Sequence, residues 1–364
     1  MRRKTSACVA VAGIVLGLLV LLAGCKSAPT QGGASGEPVT RDAPEPAAVP
    51  EPLPTAEDDG PMEVEAVVDL RLEFVPDRAV TCKVTTETEA SVRWEGDQSS
   101  KPDSFRGGAI GNRVEITFEQ RVLRVNDKGN AVIEVTILAL TYLGRSRETV
   151  VLDFDSVRDP DWQGPLSELI GRSYEVEMTP KGAVVSVDGV AGIRDSIEGR
   201  SAEHQTALRL LDEKEIRQRH EVPALMASEG RTVHPGDRWS NVRLFSFGRM
   251  GDRAYERLYS LDRVEADGDA RLAHVTMKGI PSSAAARQLH QEQAEVVAAG
   301  LFDHVDTYEG RLLLDLDTGT IDTYVEQFRT EWVAVDQQAV QDGAANPAAV
   351  RMERMQLYRL ERLR

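Results

Sequence analysis

The chain has 364 residues, 59 Asp and Glu against 43 Lys and Arg, and a net charge of −16. That acidic balance argues against a nucleic-acid binder and against adhesion to anionic lipid headgroups. Only three cysteines are present, Cys8, Cys25 and Cys82, too few for a disulfide scaffold.

The first 24 residues run in the order a secretory signal requires: basic Met1 to Lys4, apolar Ala7 to Ala23, then Leu22-Ala23-Gly24-Cys25. Those last four residues resemble the lipobox of bacterial lipoproteins. The resemblance implies cleavage between Gly24 and Cys25 and acylation of the Cys25 thiol by palmitate-like chains. Several chains at about 0.8 kcal/mol per buried methylene hold a protein at a bilayer where one is marginal. Lys26 in place of the inner-membrane Asp signal implies the outer membrane, if the cell has two. Losing three basic residues and no acidic one with the signal moves the net charge from −16 to −19. Cys82 is then the one free thiol, and its alternation with Val80 and Val84 predicts a small buried core residue.

Residues 25–61 follow as a lipidated N-terminus and tether. From Lys26 to Pro61 they carry eight of the 17 prolines and almost no large apolar side chain, which predicts disorder. From Met62 the signal changes to period-two alternation. Val114 to Phe118 and Tyr174 to Met178 read as half-buried antiparallel strands, and Ala131 to Tyr142, apolar on both registers toward its end, reads as a strand covered on both faces. The glycines of Gly107-Gly108-Ala109-Ile110-Gly111 predict a loop before the strand at Val114. Thr179-Pro180-Lys181-Gly182 and Asp317-Thr318-Gly319 predict hairpin turns.

Ile193 to about His220 predicts a partly amphipathic helix or helix pair stopped at Pro223, and Ser282 to Ala299 a second helix. Similar pieces recur across this connector. Arg124 to Ala131 aligns with Arg263 to Ala270 at an offset of 139, and Gly182 with Gly319 at 137. The reading is an α+β, mainly antiparallel fold: a β-rich lobe over 62–190, a helical connector over 191–230 and a similar lobe over 231–364, with curved sheets covered by a few helices.

No signature of a serine-hydrolase elbow, phosphate-binding loop, zincin, EF-hand or dinucleotide site is found, so no catalytic residue and no cofactor is assigned. Asp303, His304 and Asp306 are the tightest set of possible metal ligands, against the plainer reading of a solvated strand end. Asp153, Asp155, Asp159 and Asp161 lack the glycine and terminal glutamate of a calcium loop.

Val233-His234-Pro235-Gly236-Asp237-Arg238-Trp239 predicts a turn into a strand whose Trp239 packs inward. With the hairpin from Gly171 to Gly182 it resembles a family of secreted bacterial proteins known only as a domain of unknown function, over about residues 65 to 363. That resemblance implies no activity. In architecture alone the chain is similar to the curved half-barrels of the LolA and LolB carriers. The expected function is an envelope lipoprotein, anchored through Cys25, that binds an apolar ligand or an envelope protein without catalysis. The rivals are a hydrolase using Asp303 to Asp306 and a structural spacer.

Overall fold

The computed structural model describes residues 67–228, 231–247, 252–268, 270–282 and 303–363. Cys25, the signal, the tether and the helix expected from Ser282 to Ala299 lie outside the described residues, apart from Ser282 itself. Residues 61–101 and 106–364 belong to one compact unit.

A first strand, β1 (Val68–Asp69), is followed by β2 (Ala79–Glu95), β3 (Gly108–Val125), β4 (Ala131–Ser146), β5 (Thr149–Asp155), β6 (Ser173–Met178) and β7 (Val184–Asp188). Four short helices come next: α1 (Val190–Ser196), α2 (Ala202–Leu210), α3 (Glu213–His220) and α4 (Pro223–Met226). The second half holds β8 (Thr232–Val233), β9 (Arg238–Ser246), β10 (Asp252–Asp267), β11 (Ala270–Pro281), β12 (Asp303–Asp315), β13 (Thr320–Val335) and β14 (Ala349–Leu363). The fold is α+β and mainly antiparallel.

Both halves build one sheet, in the order β7-β6-β4-β3-β2-β14-β13-β12-β11-β10-β9, with β5 also on β4. The two β-rich halves are thus laid edge to edge. The run from β7 to β2 is matched by the run from β13 to β9, and β14 joins β2 to β13. The sequence offsets reappear in the pairing itself. Leu123 and Asp262, 139 apart, are each skipped by the ladder before the turns at Gly129 and Gly268. Val185 and Asp322, 137 apart, are skipped after the turns at Gly182 and Gly319. Such bulges bend and twist a strand, so the halves curve at equivalent places.

The sheet must wrap strongly. From β7 to β9 there are ten strand spacings of about 4.8 Å, roughly 48 Å if flat. Yet Arg217 Nη1 donates to Val184 O on β7 at 2.6 Å, Tyr358 of β14 donates to Arg219 O at 2.8 Å, and Trp239 of β9 donates to Ala224 O at 2.9 Å. Residues 217–224 span about 12 Å at a helical rise. Both sheet edges and the sheet's centre therefore meet one short helical stretch, which plugs an almost closed barrel.

Local readings fare unevenly. The alternation at Val114–Phe118 and Tyr174–Met178 holds, with every second residue buried. Both predicted hairpins form, with Gly182 at φ +74° and Gly319 at φ +59°. Ala131–Tyr142 is corrected: a ladder shift skips Leu138, which lies 45% exposed between buried Ile137 and Leu140. The bulge moves the apolar register by one residue instead of doubling it. The loop at Gly107–Gly111 is corrected too, because β3 already begins at Gly108. Gly111 pairs with Glu89, and a Cβ there would lie 2.4 Å from Thr88 O. The predicted helix or helix pair is three helices, broken near Gly199, at φ +137°, and again at Leu211–Asp212, and Pro223 opens α4 instead of simply ending the run.

Candidate functional site

Before β2 the chain crosses the barrel as a strap. Leu70 and Leu72 turn inward and are buried, whereas Arg71 and Glu73 turn outward. Leu72 N donates to Pro180 O at 2.7 Å and the adjacent Glu73 N to Gly319 O at 3.0 Å, so the strap ties together the equivalent turns of the two halves. Lys181 Nζ donates to Asp69 Oδ1 at 2.6 Å and Arg78 Nη1 to Thr318 O at 2.9 Å. A Cβ on Gly319 would stand 2.3 Å from Glu73 N, so glycine is required for this crossing as well as for the turn.

Beneath the strap lies a cavity of about 80 Å³. Cys82, Ile133, Met178 and Val222 form its buried apolar floor, and Glu73, Arg78 and Thr320 stand at its more exposed rim. One wall is polar but internally satisfied. Cys82 Sγ donates to Gln120 Oε1 at 3.9 Å, Gln120 Nε2 faces His220 Nδ1 at 3.2 Å, and His220 Nε2 faces the Tyr174 hydroxyl at 2.8 Å. Arg219 Nη1 also donates to that hydroxyl at 3.2 Å. With the amide donating to Nδ1, the imidazole proton sits on Nε2.

The groups of this wall that face the cavity, Cys82, Gln120 and His220, are uncharged, with the Arg219 guanidinium behind them. Burial pushes the Cys82 thiol up to about 11, against a smaller opposing pull from Arg362. Burial, helped by the Arg219 charge, lowers His220 to about 3. A protonated thiol and a neutral imidazole separated by a glutamine do not make a thiolate–imidazolium nucleophile. What remains is a mostly apolar pocket with uncharged Cys82, Gln120 and His220 on one side.

The second half buries a different polar set. Glu326 of β13 accepts from Arg243 Nη1 at 2.7 Å, Arg257 Nη1 at 3.0 Å, the Tyr308 hydroxyl at 2.8 Å and the Tyr324 hydroxyl. Burial alone would raise its carboxyl, but Arg257 and Arg243 hold it below the usual range. Gly279 leaves room for Tyr308, whose ring would lie 2.3 Å from a Cβ there. Every acceptor site of this carboxylate is engaged.

Two of the three metal candidates have described side chains. Asp306 turns inward, accepting from Tyr255 at 2.7 Å and from Thr330. His304 Nε2 stands 3.8 Å from Asp306 Oδ2 with its side chain 42% exposed, and the side chain of Asp303 lies outside the described residues. Among the described residues no three His, Cys, Asp or Glu side chains converge as metal ligands. Arg158 sits among the acids of the 153–161 loop, pairing Asp153 and Asp161 at 3.1 and 2.5 Å. His204 and His220 fall on separate helices. Trp239 packs inward as its motif predicts, 7% exposed, after a turn with Gly236 at φ +92°.

Sequence reading missed the strap, Gln120 and the Arg–Tyr–Glu cluster. His220 was visible only as one of six histidines, and Glu326 draws its partners from residues 18 to 83 positions away except for Tyr324. Neither a protein-family model nor any curated protein matches the chain.

Proposed function

We propose that this protein is a lipid-anchored envelope protein whose body binds an apolar ligand, such as a single acyl chain, in the cavity beneath the strap. The observation that carries this reading is the cavity itself: a mostly apolar lining inside a wrapped sheet, with Glu73, Arg78 and Arg362 as its charged residues. Anchoring through Cys25, and the outer membrane as its location in a two-membrane cell, come from the lipobox and Lys26. The tether that follows would give the body reach from its bilayer. Among the described residues no helix is long and apolar enough to cross a membrane.

Titrating a chain that begins at Met62 with a fluorescent fatty acid tests this. Saturable binding of one molecule per chain is expected, competed by unlabelled decanoic acid and lost in Val122→Trp, which fills the cavity from β3. No saturable binding, or equal binding by folded Val122→Trp, would refute it. Capture of an envelope protein without any such ligand would favour a protein partner instead.

A further inference from the structure

We propose that the strap from Leu70 to Phe74 is a gate whose closure is coupled to the contents of the cavity: filling the cavity parts the two hairpin turns and releases the strap. The inference rests on the cavity being a binding site, since a gate has a use only if something enters. Three observations lead to it.

At about 80 Å³ the cavity is far smaller than the ~300–1,000 Å³ of a typical small-molecule pocket, so enclosing a longer ligand requires a wall to move. The strap is held without the continuous ladder of the other walls. It stands outside the large sheet, and among the described residues its one ladder is the two-residue pairing of Val68 and Asp69 with Val233 and Thr232.

Its fastening is also split between the halves. Neighbouring amides, Leu72 N and Glu73 N, reach Pro180 O on the first-half turn and Gly319 O on the second-half turn. Consecutive residues cannot follow two turns that move apart, so widening the barrel breaks one bond or the other. The Lys181–Asp69 pair and the Arg78–Thr318 bond divide in the same way between first and second half. Because the strap continues into the segment that leads back to Cys25, its release would lengthen the connection to the anchor when the cavity fills.

Cys82 on the cavity floor gives a direct readout. In the full chain, alkylation of Cys82 by N-ethylmaleimide at pH 9 is followed by peptide mass spectrometry, which separates it from the other cysteines. Lys181→Met and Asp69→Asn should each speed Cys82 alkylation about tenfold, and Arg113→Gln, which breaks an exposed pair with Glu115, should not. The rate should depend on low urea less steeply than global unfolding does, because opening the strap exposes Leu70, Leu72 and their neighbours and leaves the rest of the core buried. Equal rates in all four proteins, or a urea dependence as steep as that of global unfolding, would overturn the gate.

Hydrogen exchange at Leu72 and Glu73 gives a second measure on the unaltered protein. Exchange faster than in the centre of β3 is expected, and exchange as slow as there would count against the gate. Decanoic acid separates the two proposals. If it speeds exchange at Leu72 and Glu73 while shielding Cys82, the coupling holds. If it does neither while the latch variants still accelerate alkylation, the ligand reading and the coupling both fail and only the hinged strap survives.

Discussion

Single residues carry the electrostatics of this barrel, and His220 is the most telling. Held near 3, it binds no proton at pH 5, where an unfolded histidine near 6.5 does. The unfolded state therefore takes up more protons between about pH 6.5 and 3. Stability from this residue is complete above pH 6.5 and falls as pH drops through that window, by about 2 kcal/mol between pH 6.5 and 5. Urea midpoints measured from pH 7.5 to 5 should fall more steeply for the natural protein than for His220→Gln; parallel slopes would show that the imidazole is not buried neutral. Glu326→Gln removes the charge that offsets Arg243 and Arg257 and should cost about 3–5 kcal/mol in urea unfolding. Tyr324→Phe, which leaves the ion pairs in place, should cost about 1 kcal/mol. A loss below 1 kcal/mol for Glu326→Gln would mean the cluster is wetter than its burial indicates. None of this was legible in advance, because the groups around Glu326 lie on four strands and share no local motif.

The elements themselves were largely legible. Period-two alternation marked the strands, and Pro-Lys-Gly and Asp-Thr-Gly strings marked two hairpins, because both signals depend only on near neighbours. The errors arose where a ladder slips. In β4 the buried residues Ile137 and Leu140 are three apart, a spacing regular alternation forbids and the bulge at Leu138 permits. Leu138→Lys should therefore change stability by no more than about 0.5 kcal/mol, as exposed substitutions do. Leu140→Lys would place a charge in the core and should prevent folding. Circular dichroism and urea unfolding of the two variants would check this, and equal damage from both would mean that both registers are covered after all.

For the whole molecule, the sequence suggested two β-rich halves joined by helices, and in the structure both halves contribute to one sheet that wraps around those helices. Periodicity identifies strands but not partners, and β2 pairs along its length with β14 from the other end of the chain. Truncation after Ala348 would remove the strand between β2 and β13 and should abolish cooperative unfolding. A chain beginning at Met62 should melt within a few degrees of one beginning at Lys26, because residues 26–61 are Pro-rich and carry almost no large apolar side chain to bury. The central claim is that this wrapped sheet holds an apolar ligand beneath its strap. Native mass spectrometry of the Met62 chain mixed with decanoic acid tests it most directly. One bound molecule per natural chain and none on Val122→Trp is the expected result, whereas an empty natural protein, or the same occupancy in both, would contradict it.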